Sequence, residues 1–127
     1  MKKILIFGAG EGSQEVLKVI IKDINKIKPT WEVLGYIDST ESLKGKVIAG
    51  YKVLGKRFKG DPSGIYGVCG IMDNRIRSKI IEEDIKKAGI LPASLVHPSV
   101  IFSDDFIYGD GIVIYPNVTI SYNVEIG

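Results

Sequence analysis

The sequence predicts an α/β fold in two parts: a small three-layer α/β unit over residues 1–96, followed by the first coils of a parallel β-helix over 97–127. Three observations predict it. The apolar run Lys3-Ile-Leu-Ile-Phe7 ends in Gly8-Ala-Gly-Glu-Gly12, as a strand buried on both faces enters a glycine turn. A helical hydrophobic period follows and gives way to a second apolar run. From Val100 onward, hydrophobic residues recur every six positions in two registers at once. Charge divides the chain near the same place. Residues 101–127 hold no Lys or Arg and four acids (Asp104, Asp105, Asp110, Glu125), so this stretch carries −4 and the first hundred residues +6.

Within the first part, Val16, Leu17, Ile20, Ile21, Ile24 and Ile27 repeat at the spacing of one buried helical face, and Pro29 stops the pattern. Trp31 to Ile37 reads as the second strand and delivers Asp38 and Ser39 at its carboxyl end. Strand, glycine turn, helix, strand, acid is the opening of a Rossmann-like βαβ unit. Residues 45–55 are punctuated by glycine and read as short strands or turns, and Ile65–Cys69 as a further inner strand. Asp73 or Asn74 then caps a helix whose buried face is Ile76, Ile80, Ile81 and Ile85, ended by Ala88-Gly89. Leu91–Val96 returns to extended structure.

In the tail, Val100, Phe106, Ile112, Val118 and Val124 form one register, and Phe102, Tyr108, Ile114, Ile120 and Ile126 the other. Turn residues separate the hexads. Two alternating hydrophobics per hexad, broken by a turn, are the pattern of a parallel β-helix in which three hexads make one coil of about 18 residues. Coils bury their faces by stacking and need about three repeats or more. The tail is therefore expected either to be the start of a longer solenoid, the chain being a fragment, or to have its last coil covered by another subunit, and the fragment is the favoured reading.

A glycine turn at the head of a helix lets backbone N–H groups approach a phosphate, with the helix N-terminus adding partial positive charge. Gly8, Gly10 and Gly12 are the candidates for that role, although the third glycine of G-x-G-x-x-G would fall on Ser13 and Glu11 places a negative charge nearby. The same glycines equally suit a plain strand-to-helix turn with Glu11 and Glu15 stabilising the helix start. Asp38 suits a bond from a ribose or base, or simply a turn.

Composition excludes other chemistry. One cysteine (Cys69) and one histidine (His97) provide no disulfide, no metal-ligand spacing and no histidine pair, so neither catalytic nor metal-binding residues are assigned. Cys69 sits in an apolar strand and reads as a core thiol. The lysines are scattered among acids with no aromatic-basic stripe, which argues against nucleic acid. No apolar run approaches the ~20 residues of a membrane helix. The four residues Ile4–Phe7 are too few for a signal-peptide core. The chain is expected in the cytoplasm, without membrane insertion.

Taken in order, Lys3–Gly10, Gly35-Tyr-Ile-Asp38, Gly45–Gly55, Asp73-Asn-Arg-Ile-Arg77 and Leu95-Val-His-Pro-Ser99 leading into the hexads resemble the hexapeptide-repeat sugar O- and N-acyltransferases of the sialic-acid O-acetyltransferase and bacillosamine N-acetyltransferase type. The resemblance runs along nearly the whole chain. It implies that the α/β unit binds a nucleotide-sugar acceptor, here a UDP-sugar, and that the solenoid is left-handed. It also implies that acetyl-CoA binds between neighbouring subunits of a homotrimer, at a site missing from this chain. Carried over, the acceptor-contacting loop falls on Gly10, Glu11 and Gly12, the strand-end pair on Asp38 and Ser39, and a later loop on Gly70 and Arg75. The family usually has Gly-His at Glu11-Gly12 and an acid at Ser39. Its general base is a histidine in a later coil, so the function implied is the acceptor-binding part of an acyltransferase of surface glycan synthesis, inactive alone. His97 belongs to the His-Pro-Ser boundary motif and is expected to be structural. The alternative is a non-catalytic nucleotide- or CoA-binding module like the N-terminal domains of nucleotide-sugar dehydratases, against which the hexads argue. NAD-dependent oxidoreduction is weakest, for want of a Ser/Tyr/Lys set and a substrate domain.

Overall fold

The computed structural model describes residues 1–102, 107–109, 111–120 and 125–126. Strand β1 (Lys2–Phe7) alternates in burial partner, as a strand of period two must. Ile4 and Ile6 face a cluster with Val16, Leu17, Ile20 and Ile21 of the first helix, whereas Leu5 and Phe7 face a second cluster containing Ile85. Both faces are therefore covered, which explains why the run has no polar interruption. The first helix is continuous through Glu11–Glu15, a π-helical Val16–Ile21 and Lys22–Ile27. Its apolar face packs as the period predicts up to Ile24. Ile27 departs from it: in the last turn, where Lys28 becomes extended, it is exposed.

Strand β2 (Trp31–Ile37) lies parallel to β1. The glycine-punctuated stretch is a hairpin of β3 (Val47–Ile48) and β4 (Tyr51–Gly55), antiparallel to each other, with β4 parallel to β2. Its two-residue turn places both Ala49 (φ 51°) and Gly50 (φ 87°) at positive φ, as a type I′ turn requires. Strand β5 (Ile65–Cys69) joins the other edge of β1, and β6 (Leu91–Pro92) pairs with β5, giving the order β3-β4-β2-β1-β5-β6. The second helix runs through Asn74–Lys79 and a π-helical Ile80–Lys86. Asp73 caps it through both the Arg75 and Ile76 amides. Apolar burial on this helix begins at Ile80; Ile76, in the first turn, is exposed rather than part of the buried face.

Beyond this sheet come three two-stranded parallel pairings with a constant offset: β7 (Leu95–Val96) with β10 (Val113–Ile114), β8 (Ile101–Phe102) with β11 (Thr119–Ile120), and β9 (Ile107–Tyr108) with β12 (Glu125–Ile126). Every partner lies eighteen residues downstream, which is three hexads. The pairing begins at Leu95, so Leu95 belongs to a coil by hydrogen bonding and to the α/β core by packing. Val100, Ile112 and Ile114 form a small buried cluster, whereas Phe102 and Val118 of the same periodic set are exposed. Phe106 and Val124, and the side chains of Tyr108, Ile120 and Ile126, lie outside the described residues.

Candidate functional site: the crevice at the strand carboxyl ends

From β1 the chain passes to β2 on one side, and from β5 to β6 on the other. The loops leaving β1 and β5 therefore diverge and open a crevice at their carboxyl ends, the usual ligand position in sheets of this topology. Gly8 follows β1 at φ +93°, and its amide donates to the Ile37 carbonyl at 2.7 Å; the Gly70 amide donates to the Phe7 carbonyl at 3.1 Å. These bonds carry the ladder past the strand ends and fix both loops.

Asp38 binds the glycine loop itself. Its Oδ2 accepts from the Ala9 amide at 2.9 Å and its Oδ1 from the Thr40 amide at 2.8 Å. Partial burial pushes this carboxyl up, but the hydrogen bonds from Thr40 and the Ala9 amide outweigh it and hold the group below the usual aspartate range. Asp38 thus remains ionised at neutral pH, with its charge shared between two loops.

The glycines have different roles. A Cβ on Gly12 would lie 2.2 Å from the Gly70 carbonyl oxygen, and one on Gly70 would lie 2.2 Å from Ser13 Oγ and 2.5 Å from Ser13 Cα. Gly12 and Gly70 therefore let the first helix approach the end of β5, whereas a Cβ on Gly10 would meet nothing within 4 Å. Gly8, Asp38 and Ser39 line a crevice of about 270 Å³ together with Thr40 and Lys56. Its floor is apolar, from Phe7, Ile37 and Ile71. Gly10, Glu11, Gly12, Gly70 and Arg75 do not line it. Glu11 is exposed in the first turn of the first helix, and Arg75 is exposed beside the Asp73 cap.

Sequence reasoning did not single out Lys56. It follows β4 at the carboxyl end of a parallel strand, one place after Gly55, and reading β4 as parallel rather than as a loose turn would have found it. A larger open hollow of about 470 Å³ lies along Lys18 and Lys22 and against Tyr51 of the hairpin, and none of the loops that leave β1, β2 and β5 lines it. The crevice combines an apolar floor, hydroxyls, two carboxylates (Asp38 and Asp84) and the Lys56 ammonium group, a mixture that suits a ring system carrying hydroxyls, with Lys56 as its one cation among the described lining residues.

Comparison with known proteins decides the relationship. The chain is 31% identical over 124 residues, 96% of its length, to GDP-perosamine N-acetyltransferase of Escherichia coli O157:H7, of which it spans 55%. It is homologous to the N-terminal part of that sugar N-acetyltransferase. The family described as C2185-like, N-terminal, matches residues 1–58. The fold is shared with PerB of Caulobacter crescentus, solved with CoA and GDP-perosamine, at a TM-score of 0.74 and 24% identity over 98% of this chain and 56% of that one. It is also shared with the acetyltransferase domain of PglB from Neisseria gonorrhoeae, at a TM-score of 0.71 and 19% identity over all of this chain and 62% of that one. The chain thus spans little more than half the length of these relatives.

Cys69 and His97, the one cysteine and the one histidine of the chain, are both committed to structure. Burial pushes the Cys69 thiol up, so it stays protonated in the core. His97 is buried; its Nε2 meets Asp23 Oδ2 at 2.8 Å, and its Nδ1 accepts from the Ser99 amide at 3.0 Å. Because Nδ1 accepts, the ring proton sits on Nε2 and is donated to Asp23. Among the described residues no helix is long and apolar enough to cross a membrane, and no group of three His, Cys, Asp or Glu is placed to hold a metal.

Proposed function

We propose that the chain is the acceptor-binding part of a nucleotide-sugar acyltransferase that moves an acetyl group from acetyl-CoA to an amino or hydroxyl group of a sugar for surface glycans, acting in the cytoplasm. The observation that carries this reading is the 31% identity to a GDP-sugar N-acetyltransferase along 96% of the chain. The crevice supports it chemically. The base packs on the apolar floor of Phe7, Ile37 and Ile71, Lys56 faces the diphosphate, and the Ser39 and Thr40 hydroxyls reach the ribose or the sugar. The Asp38 carboxylate holds the glycine loop in the shape that admits the ligand. Gly10, Glu11, Gly12, Gly70 and Arg75 form the outer rim of the acceptor site in this proposal.

The eighteen-residue pairing supports a left-handed β-helix whose exposed Ile101, Phe102 and Val118 would be covered by further coils or by neighbours in a homotrimer. Acetyl-CoA would supply the thioester against those coils. Attack by an amine on that thioester needs a base to take the proton, and the chain's one histidine is tied to Asp23 and Ser99. This chain alone is therefore expected to bind acceptor without transferring acetyl groups. Resemblance pointed to UDP-linked sugars, whereas the curated relative is named for a GDP-linked one; the departures at Glu11-Gly12 and Ser39 fall where the nucleotide would be distinguished. Calorimetric titration with UDP-sugar, GDP-sugar and NADH is the test. A nucleotide sugar is expected to bind, with affinity lost in Lys56→Ala, and NADH is not. NADH binding with neither sugar nucleotide bound would refute the proposal.

A further inference from the structure

Arg77, near the start of the second helix, reaches across to the coil, where its Nη2 donates to the Gly111 carbonyl. Its Nε is buried and has no hydrogen-bond partner, and among the described residues the guanidinium pairs with no carboxylate. A buried, unpaired donor on a charged group is costly and calls for an acceptor. Arg77 and Asn74 line two cavities that meet at this junction, one of about 440 Å³ and one of about 150 Å³. In the larger, Glu82 is closed on Lys86 at 2.9 Å. In the smaller, burial keeps both the Cys69 thiol and the Tyr115 phenol protonated, with the Glu15 charge adding to the effect on Tyr115. Among the described residues the Tyr115 hydroxyl finds only the Met72 sulfur at 3.7 Å, a weak acceptor. Among the described residues the small cavity is lined by donors and by no carboxylate, the nearest negative charges being Glu15, which acts on Tyr115, and Asp84, which acts on Cys69.

We propose that the junction between the second helix and the coil is a binding site for a compact oxyanion, a carboxylate or phosphoryl group, held by the Arg77 guanidinium with Asn74 and the Tyr115 hydroxyl. Nothing in it depends on the crevice being a nucleotide site. Arginine's planar fork suits such a group because it donates through two N–H bonds at once. Ile71 lines both this cavity and the crevice, so the oxyanion belongs either to a molecule seated in the crevice or to a free anion.

The test is titration of the full chain with inorganic phosphate and, separately, sodium acetate at ionic strength matched with chloride, following amide shifts by NMR. Saturable shifts at Asn74 and Gly111 are expected, weakened about tenfold or more in Arg77→Met. Because that variant also loses the Gly111 bond, Tyr115→Phe, which leaves the bond in place, is expected to weaken binding as well. UDP is then added: displacement of phosphate assigns the oxyanion to a crevice-bound diphosphate, and simultaneous occupancy assigns it to a free anion, the site standing in both cases. Shifts no larger than those with chloride, or unchanged affinity in both variants, would overturn it.

Discussion

Asp38 shows how much one side chain decides at the crevice. Its two oxygens accept amides from loops that follow different strands, Ala9 after β1 and Thr40 after β2. Asp38→Ala leaves both amides without this partner and is expected to cost about 1–2 kcal/mol, measured by urea unfolding, with weaker binding of any crevice ligand. The pH dependence has a definite sign. The folded carboxyl lies below its ordinary value, so its contribution is complete above the usual aspartate pKa of about 3.9 and disappears as pH falls through the depressed value. Asp38→Asn is expected to flatten that acid limb of the stability profile; an unchanged limb would show that the carboxylate is not what holds the loop. The glycines separate just as sharply. Gly12→Ala drives a methyl into the Gly70 carbonyl and is expected to destabilise by about 2 kcal/mol or more. Gly10→Ala meets open space and is expected to stay within about 0.5 kcal/mol. Thermal melts of the pair distinguish a packing glycine from a permissive one.

Elements add constraints that single residues do not carry. The β3–β4 hairpin places Ala49 in the left-handed region, where a Cβ costs roughly 1–2 kcal/mol. After the entropy that glycine adds to the unfolded chain, Ala49→Gly is expected to raise stability by about 0.5 kcal/mol, seen as an increased Tm. The first helix and the coil are tied by His97, whose Nε2 reaches Asp23 while Ser99 receives the Asn117 amide at 2.8 Å. The Asp23 carboxyl lies below its ordinary value chiefly through the His97 hydrogen bond. This tie is therefore also lost on the acid side, as pH falls through the lowered aspartate pKa. His97→Ala is expected to reduce that acid sensitivity, leaving the part that Lys26 contributes, and to loosen the coil, read as faster exchange of the Val100 amide.

Much of this was legible in the sequence, because periodicity reports burial directly. The helix up to Ile24 and the hexads are each a repeat that one physical period explains, and the unbroken apolar run of β1 reports a strand covered on both faces. What was not legible depended on neighbours distant along the chain. Asp38 could be placed at a strand end, but its use by Ala9 follows only from β1 and β2 lying side by side. Lys56 enters the crevice because β4 adds in parallel to β2. Gly10 and Gly12 look alike in a motif and differ because one faces Gly70. His97 looked structural for its motif, but its partner Asp23 is 74 residues away. Ile27 and Ile76 kept the helical period in turns that bury nothing, since periodicity does not report where the covering layer ends.

At the scale of the whole molecule, two kinds of cohesion meet in one chain. The six-stranded sheet is covered on both faces, and β1 at its centre is hydrogen-bonded on both edges along its length. Each coil pairing joins only two strands of two residues, and its small core of Val100, Ile112 and Ile114 sits beside exposed Ile101, Phe102 and Val118. Solenoid coils draw their stability from adjacent coils, so the two parts are expected to open separately. In native-state hydrogen exchange, amides of β1, β2 and β5 should exchange only with global unfolding. The Ile101 amide, bonded to Val118, should exchange through a smaller opening whose free energy barely depends on denaturant. The His97 tie makes a second demand on the result. His97→Ala should lower the opening free energy of the coil amides while leaving that of β1 nearly unchanged. A single opening step shared by sheet and coil, shifted equally by the substitution, would mean that the coil is an integral layer of the α/β core rather than a unit held to it by a few side chains.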